Sequence, residues 1–276
     1  MLENTFCHLP GIGLKTERRL WAEGFADWLS LLRGMDAGEA PVRCGPEVRV
    51  RLEESLHHLQ QGEAGFFAQL LPTDQMWRLF SPFCGKVAYV DIETTGLGRG
   101  MDHVTSIALY DGLRVATYVQ GRNLEQFEED ISAYQLVATF NGSLFDLPYL
   151  RRQLKPDLPR AHIDLRFVLK SLGVTGGLKR CEERFGLSRA TLSGIDGYAA
   201  VLLWQAYEAT GREEILETLL AYNVQDVLSL EVLLHLAYNM KLEQMGSQLS
   251  RLHVPPLSGN PYGPHPDVLR ELGLWP

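Results

Sequence analysis

Apolar residues recur at near-helical spacing over residues 14–32 (Leu20, Trp21, Phe25, Trp28, Leu29, Leu32), and the same period continues over 49–59, so residues 1–83 are expected to be helical. From Lys86 the period changes. Residues 87–90 form a short β-prone run, and 104–110 and 113–119 read as further strands, with Asp111-Gly112 as a hairpin turn. The pattern then predicts a polar helix near 124–131 and a strand over 136–140. Helices follow from about Leu147 and again from Gly177, and a long helical stretch runs from about 213 to 239. Residues 255–276, rich in Pro and Gly, are expected to wrap the surface or fray. Strands followed by alternating helix and strand predict an α/β domain with a mixed sheet. Pro82 and Gly85 bracket a boundary, which divides the chain into a helical region over 1–84, an α/β domain over 85–242 and a Pro/Gly-rich tail over 243–276.

Composition narrows the class without changing this picture. With 45% hydrophobic and 22% charged residues, the 276-residue chain has globular composition and is long enough for a proper core. No run approaches the roughly 20 consecutive apolar residues that span a bilayer. Glu3, His8 and the early Gly and Pro residues leave no secretory apolar segment, so a soluble, cytoplasmic protein is expected. Cys7, Cys44, Cys84 and Cys181 show no C-x-x-C spacing and read as reduced thiols rather than a zinc site. Net charge is −8, yet residues 151–189 hold ten basic against four acidic side chains, a local +6 that leaves −14 elsewhere. Such a segment is either a local polyanion contact or a set of solvated helix faces.

Three acidic segments carry the candidate chemistry. Asp91 and Glu93 sit two apart at the end of an apolar strand, so both project to one face. Paired carboxylates repel unless a cation or proton is shared between them, and Gly96 allows a close approach of ligand to backbone. Asp146, in Phe140-Asn-Gly-Ser-Leu-Phe-Asp146, follows an apolar strand and opens a helix, where a plain capping role is also open. Tyr222 and Asp226 are four apart and share a helical face, where an apolar helix would also bury a Tyr as core. Together, Asp91, Glu93, Asp146 and Asp226 form an all-oxygen set suited to two hard divalent cations, Mg²⁺ or Mn²⁺. Two such ions roughly 4 Å apart can activate water on one side of a phosphodiester and stabilise the leaving oxygen on the other.

In order along the chain, Asp91-Ile-Glu93, Asn141-x-x-x-Phe145-Asp146 and Tyr222-x-x-x-Asp226 resemble the three exonuclease motifs of the DEDD superfamily on the ribonuclease H-like fold. The Tyr spacing marks the DEDDy branch, which also contains the proofreading domains of family B DNA polymerases. The sister branch places His five residues before the last Asp, where this chain has Ala221. More specifically the chain resembles the YprB-type bacterial RNase H-like proteins, with His162-Ile-Asp164-Leu165 and Gly176-Gly177-Leu178-Lys179 as further segments, the whole covering residues 86–240. The resemblance implies a ribonuclease H-like mixed sheet flanked by helices, with Asp91, Glu93, Asp146 and Asp226 as metal ligands. It further implies that the Tyr222 hydroxyl orients the attacking water and that Thr94, Thr95 and Leu97 meet the 3′-terminal nucleotide, Leu97 as a wedge between bases. Asn141 and Phe145 would position that end, and Lys179 with neighbouring cations would track phosphates with salt-sensitive affinity. Asp164 stays outside the metal set, either supporting the site from behind or capping a helix at Leu165.

At the N-terminus, Leu9-Pro-Gly11-Ile-Gly13-Leu-Lys15-Thr16 resembles the hairpin of a helix-hairpin-helix element, which grips a phosphate through backbone N–H groups. Arg18 and Arg19 depart from its usual small residues, and a purely structural turn is the competing reading. The expected function is a metal-dependent 3′→5′ exonuclease acting on DNA or RNA ends, single-stranded ends preferred, with no membrane association. A non-catalytic nucleic-acid-binding scaffold and an RNase H- or resolvase-type endonuclease are the alternatives.

Overall fold

A mixed five-stranded sheet carries the fold, with the first strand at its centre. The strands are β1 (Val87–Thr94), β2 (Val104–Tyr110), β3 (Val115–Val119), β4 (Leu136–Thr139) and β5 (Ala161–Asp164), in spatial order β3-β2-β1-β4-β5. β1 to β3 form an antiparallel meander, whereas β4 and β5 run parallel to β1. The structure is a computed structural model and describes residues 1–41, 43–96, 102–187, 192 and 197–274.

Before the sheet come α1 (Leu14–Ala22), α2 (Trp28–Asp36), α3 (Pro46–Gln61), α4 (Ala64–Ala68) and α5 (Phe80–Phe83). The continuous helical period expected over 14–32 is broken between α1 and α2. Gly24 takes φ +95°, and Asp27 starts a new helix by accepting the Ser30 N–H at 2.7 Å while its own N–H reaches Ser30 Oγ. The Gly11-Ile12-Gly13 turn feeds α1, with Gly11 at φ +71°, Ile12 buried, and Lys15 and Arg18 exposed.

After β3 come α6 (Phe127–Ile131), α7 (Asp146–Gln153), α8 (Leu165–Ser171), α9 (Leu178–Arg184), α10 (Gly197–Thr210), α11 (Glu213–Gln244) and α12 (Pro266–Glu271). Strand alternation assigns the two layers. Ala88, Val90 and Ile92 face α6 and α7 through Phe127, Ile131, Leu147 and Leu150. Val87 and Tyr89 face the other side, where Val224 and Val227 of α11 and Trp28, Phe67 and Phe80 of the N-terminal helices join one continuous buried cluster. Asp91 and Glu93 continue that second face at the strand's C-terminal end.

α11 is apolar nearly all round, as a helix packed on several sides must be. It is long and apolar enough by composition to cross a membrane, which corrects the expectation that no stretch of the chain comes near that character. Nearly all of this stretch is buried inside the protein, against the sheet, α8 and α10. The tail wraps rather than frays. Ser258 Oγ lies 2.8 Å from the Tyr110 hydroxyl, Tyr262 OH lies 2.9 Å from Thr117 Oγ1, and the Asn260 amide donates to the Ala221 carbonyl at 2.7 Å. Val268 and Leu269 of α12 then bury against α11.

Candidate active site

The site forms where β1 and β4 part. Their parallel ladder ends at the Tyr89–Ala138 pair, and beyond it the chain after β4 turns away through residues 140–145. The N–H of Ile92 then needs another acceptor, and Asp146 Oδ1 supplies it at 3.2 Å. Asp146 is the first residue of α7, with Phe145 at the cap position, so its carboxylate reaches across to the strand rather than capping its own helix. Above this point α11 crosses the same sheet face and presents Tyr222, Asn223 and Asp226.

Glu93, Asp146 and Asp226 are buried, at 8%, 3% and 8% exposure, and Asp91 is partly buried. The carboxylates feel one another. Burial first, then the charges of Asp226, Asp146 and Glu93, push the Asp91 carboxyl well above the ordinary carboxylate range. Burial raises Asp146 to about 7, opposed by its backbone N–H contacts and reinforced by the charges of Asp164 and Asp226. Acids from the end of β1, the start of α7 and the body of α11 therefore share a low-dielectric space.

This donor set, all carboxylate oxygen, suits a hard divalent cation. Its side chains are neighbours at electrostatic range but are not closed around one ion: among the described residues, no three His, Cys, Asp or Glu side chains are arranged to hold a metal as they stand. Two of the hydrogen bonds at these acids tie them to the fold. Asp146 is engaged by Ile92, and Asp91 Oδ2 accepts from Asn223 Nδ2 at 2.7 Å.

Beside the carboxylates lies a cavity of about 720 Å³, lined by Asp91, Tyr222, Asp226, Asn141, Arg166 and Lys170 among others. Lys179 on α9 places its ammonium 5.5 Å from the Tyr222 ring centre, a cation–π contact. Asn141 takes φ +68°, and its side-chain oxygen accepts from Arg166.

Thr94, Thr95 and Phe145, also assigned from sequence, sit elsewhere. The Thr94 hydroxyl donates to the Gly96 carbonyl, and Thr95 Oγ1 accepts from the His103 N–H at 3.1 Å, so both build the turn after β1. Neither lines the cavity. Phe145 packs on Tyr149, ring centres 4.9 Å apart, toward the α6–α7 layer. Leu97 lies outside the described residues.

Asp164, left between two roles by its sequence, fills both. It caps α8 by accepting the Arg166 N–H at 3.2 Å. It also accepts the N–H groups of Asn141 and Ser143 at 2.8 and 3.1 Å and the Ser143 hydroxyl, which pins the loop leading to Asp146. Gly142 and Asn223 had no role in the sequence reading. A Cβ on Gly142 would lie 2.1 Å from Thr139 Oγ1, and that oxygen itself accepts the Gly142 N–H at 3.1 Å.

No curated protein matches this chain. Among solved structures, Brucella melitensis NrnC is 20% identical with a TM-score of 0.41, over 61% of this chain and 79% of that one. The family B DNA polymerase from the hyperthermophilic archaeon Pyrobaculum calidifontis is 17% identical with a TM-score of 0.36, over 61% of this chain and 31% of the polymerase. The Aedes aegypti Nibbler EXO domain is 15% identical with a TM-score of 0.35, over 63% and 87%. A family model described as RNase_H superfamily (RNase_H_2) matches residues 88–238, more than half of the chain and inclusive of Asp91, Glu93, Asp146, Tyr222 and Asp226. The chain belongs to the RNase_H superfamily.

Proposed function

We propose that this protein is a DEDDy-type nuclease that hydrolyses phosphodiester bonds from the 3′ end of single-stranded nucleic acid. The observation that carries this reading is the burial of mutually repelling acids from β1, α7 and α11 beside an open cavity that Tyr222 also lines. Isolated from water, such acids are costly to keep ionised, and binding of cations offsets that cost. Asp91, Glu93, Asp146 and Asp226 would hold two divalent cations, Mg²⁺ or Mn²⁺. Those ions supply Lewis-acid stabilisation of the charge that builds on the scissile phosphate.

The chain's own residues do the rest. Tyr222 stands one helical turn from Asp226, on the cavity wall, where its hydroxyl orients the attacking water. The loop pinned by Asp164 fixes Asn141 at the cavity and Asp146 behind it. An unpaired end reaches such a site most easily, because its terminal nucleotide is free to splay.

The test is hydrolysis of end-labelled oligonucleotides with Mn²⁺ by the wild type and by Asp91→Asn. Stepwise shortening from the 3′ end that Asp91→Asn abolishes is the expected result, and degradation unchanged by that substitution defeats the assignment. Cleavage of circular substrates would instead identify an endonuclease. Calorimetry showing no Mn²⁺ binding at millimolar metal would leave a nucleic-acid-binding scaffold.

A further inference from the structure

α8 forms one wall of the cavity and contributes to it only Arg166, Phe167 and Lys170. The acids that line the cavity come instead from β1 and α11. Phe167 is 46% exposed, and Leu144, from the loop before α7, is 68% exposed and lines the same space. Exposed apolar side chains are ordinary when scattered, and these two are informative because they line one cavity together with cations. Arg166 and Lys170 stand four residues apart, one helical turn, and both are exposed. The cavity thus offers two cations one helical turn apart on α8, with the Phe167 ring and the Leu144 side chain lining the same space.

We propose that this α8 wall is a strand-holding subsite for single-stranded nucleic acid. A base behind the terminal nucleotide stacks on Phe167 and leans on Leu144, while Arg166 and Lys170 meet the adjoining phosphates. The chemistry selects the ligand. An unpaired strand offers both flat apolar faces and anions, which matches a cavity lined by a ring and two cations, and stacking accepts any base. In a duplex those faces are occupied by neighbouring bases and cannot meet Phe167. Arg166 also holds the Asn141 side chain, so the subsite joins directly to the loop that carries Asp146. The inference deepens the nuclease reading and rests on it for the direction of the strand.

The test measures binding apart from cleavage. Fluorescence anisotropy of a labelled single-stranded decanucleotide is recorded in Ca²⁺ with the full chain, and cleavage is followed separately in Mn²⁺. Phe167→Ala is expected to weaken binding about tenfold and Phe167→Tyr to restore it, a rescue that a packing defect would not show. Lys170→Ala, on an exposed side chain, is expected to lower the slope of log affinity against log salt by about one. A blunt duplex of the same length should compete poorly. Affinity unmoved by Phe167→Ala and Lys170→Ala, or equal competition by duplex, overturns the subsite while Asp91-dependent cleavage still stands. Conversely, binding that responds as expected with no Asp91-dependent cleavage preserves strand holding and removes the nuclease reading.

Discussion

Asn223 donates through Nδ2 to Asp91 Oδ2 at 2.7 Å, while its own Oδ1 accepts the Ser106 hydroxyl at 3.1 Å. Ser106 fixes which way the fully buried amide points, so the amine end faces the carboxylate. The contact counters the burial and like charges that push the Asp91 carboxyl up. Replacing a residue that orients a metal-binding side chain typically costs 10–100-fold in metal affinity or activity. Asn223→Leu should therefore weaken Mn²⁺ binding by about that factor, read by calorimetry. Affinity equal to that of the wild type would show that Asp91 needs no such support.

Gly142→Ala tests the loop between β4 and α7. The added Cβ would meet Thr139 Oγ1 at 2.1 Å and Thr139 Cβ at 2.6 Å, so no rotation of Thr139 relieves the clash. Thr139 is itself tied to His162, whose Nε2 lies 2.9 Å away. Overpacking of this kind costs about 1–3 kcal/mol, and the loop must shift to accommodate it. The expected outcome is a lowered melting temperature together with loss of cleavage, because Asp146 follows the loop. A variant that melts and cleaves like the wild type would remove this constraint.

The acids make a signed pH prediction for metal-free protein. Asp146 is raised to about 7 in the fold, from an ordinary value of 3.8. Between those values the folded chain keeps a proton that the unfolded chain has released, so this group's contribution to stability falls as pH rises from about 4 to 7. Burial holds His8 and His162 neutral, with pKa values of about 3 and 4, and these act in the opposite direction. Comparison with Asp146→Asn separates the contributions. In EDTA, the melting temperature of the variant minus that of the wild type should grow across this window, and a difference that is flat or shrinks contradicts the assignment. Mn²⁺ should raise the wild-type melting temperature more at pH 7.5 than at pH 5, since cations compete with protons for the same oxygens.

Long periodic elements were legible in the sequence, and so were the segments that bear the acids. The i, i+2 placement of Asp91 and Glu93 and the i, i+4 placement of Tyr222 and Asp226 follow from strand and helix geometry alone, and the structure keeps both relations. β5 was not legible, because its four residues, though alternately buried, are too few to establish a period before α8 begins at Leu165. α10 was missed for a related reason: its run from Ala199 to Trp204 is apolar on all sides and lacks the one-sided period that marks a surface helix. Asn223 and Asp164 act through partners distant in sequence, Asp91 and the 141–143 loop, whereas Gly142 meets Thr139 only three residues away, through the conformation of the loop. Residue type and local spacing do not encode such pairings. The hydroxyls of Thr94 and Thr95 show the converse, since their local bonds in the turn after β1 compete with any contact to a ligand.

The N-terminal helices are tied to their surroundings by a buried ion pair between Glu17 of α1 and Arg78, at 2.8 Å, with both side chains almost fully buried. Glu17 Oε2 also accepts the N–H groups of Phe6 and Cys7 at 2.6 and 3.0 Å. Arg78 extends the network to Thr5 Oγ1 at 3.1 Å and Gln75 Oε1 at 2.9 Å. One carboxylate thus satisfies two backbone donors and a guanidinium, all within the cluster that also packs on the sheet. Removing one partner of such a pair strands the other charge, which typically costs about 3–5 kcal/mol. Glu17→Ala should lower the urea midpoint of the full chain by that equivalent. Because the cluster is continuous from Trp28 to Val87 and Val227, unfolding followed by tryptophan fluorescence, to which Trp21, Trp28 and Trp77 of residues 1–84 contribute, and by far-ultraviolet circular dichroism should remain one coincident transition. Two separated transitions would mean that residues 1–84 unfold on their own, and that the shared core contributes less to cohesion than its burial implies.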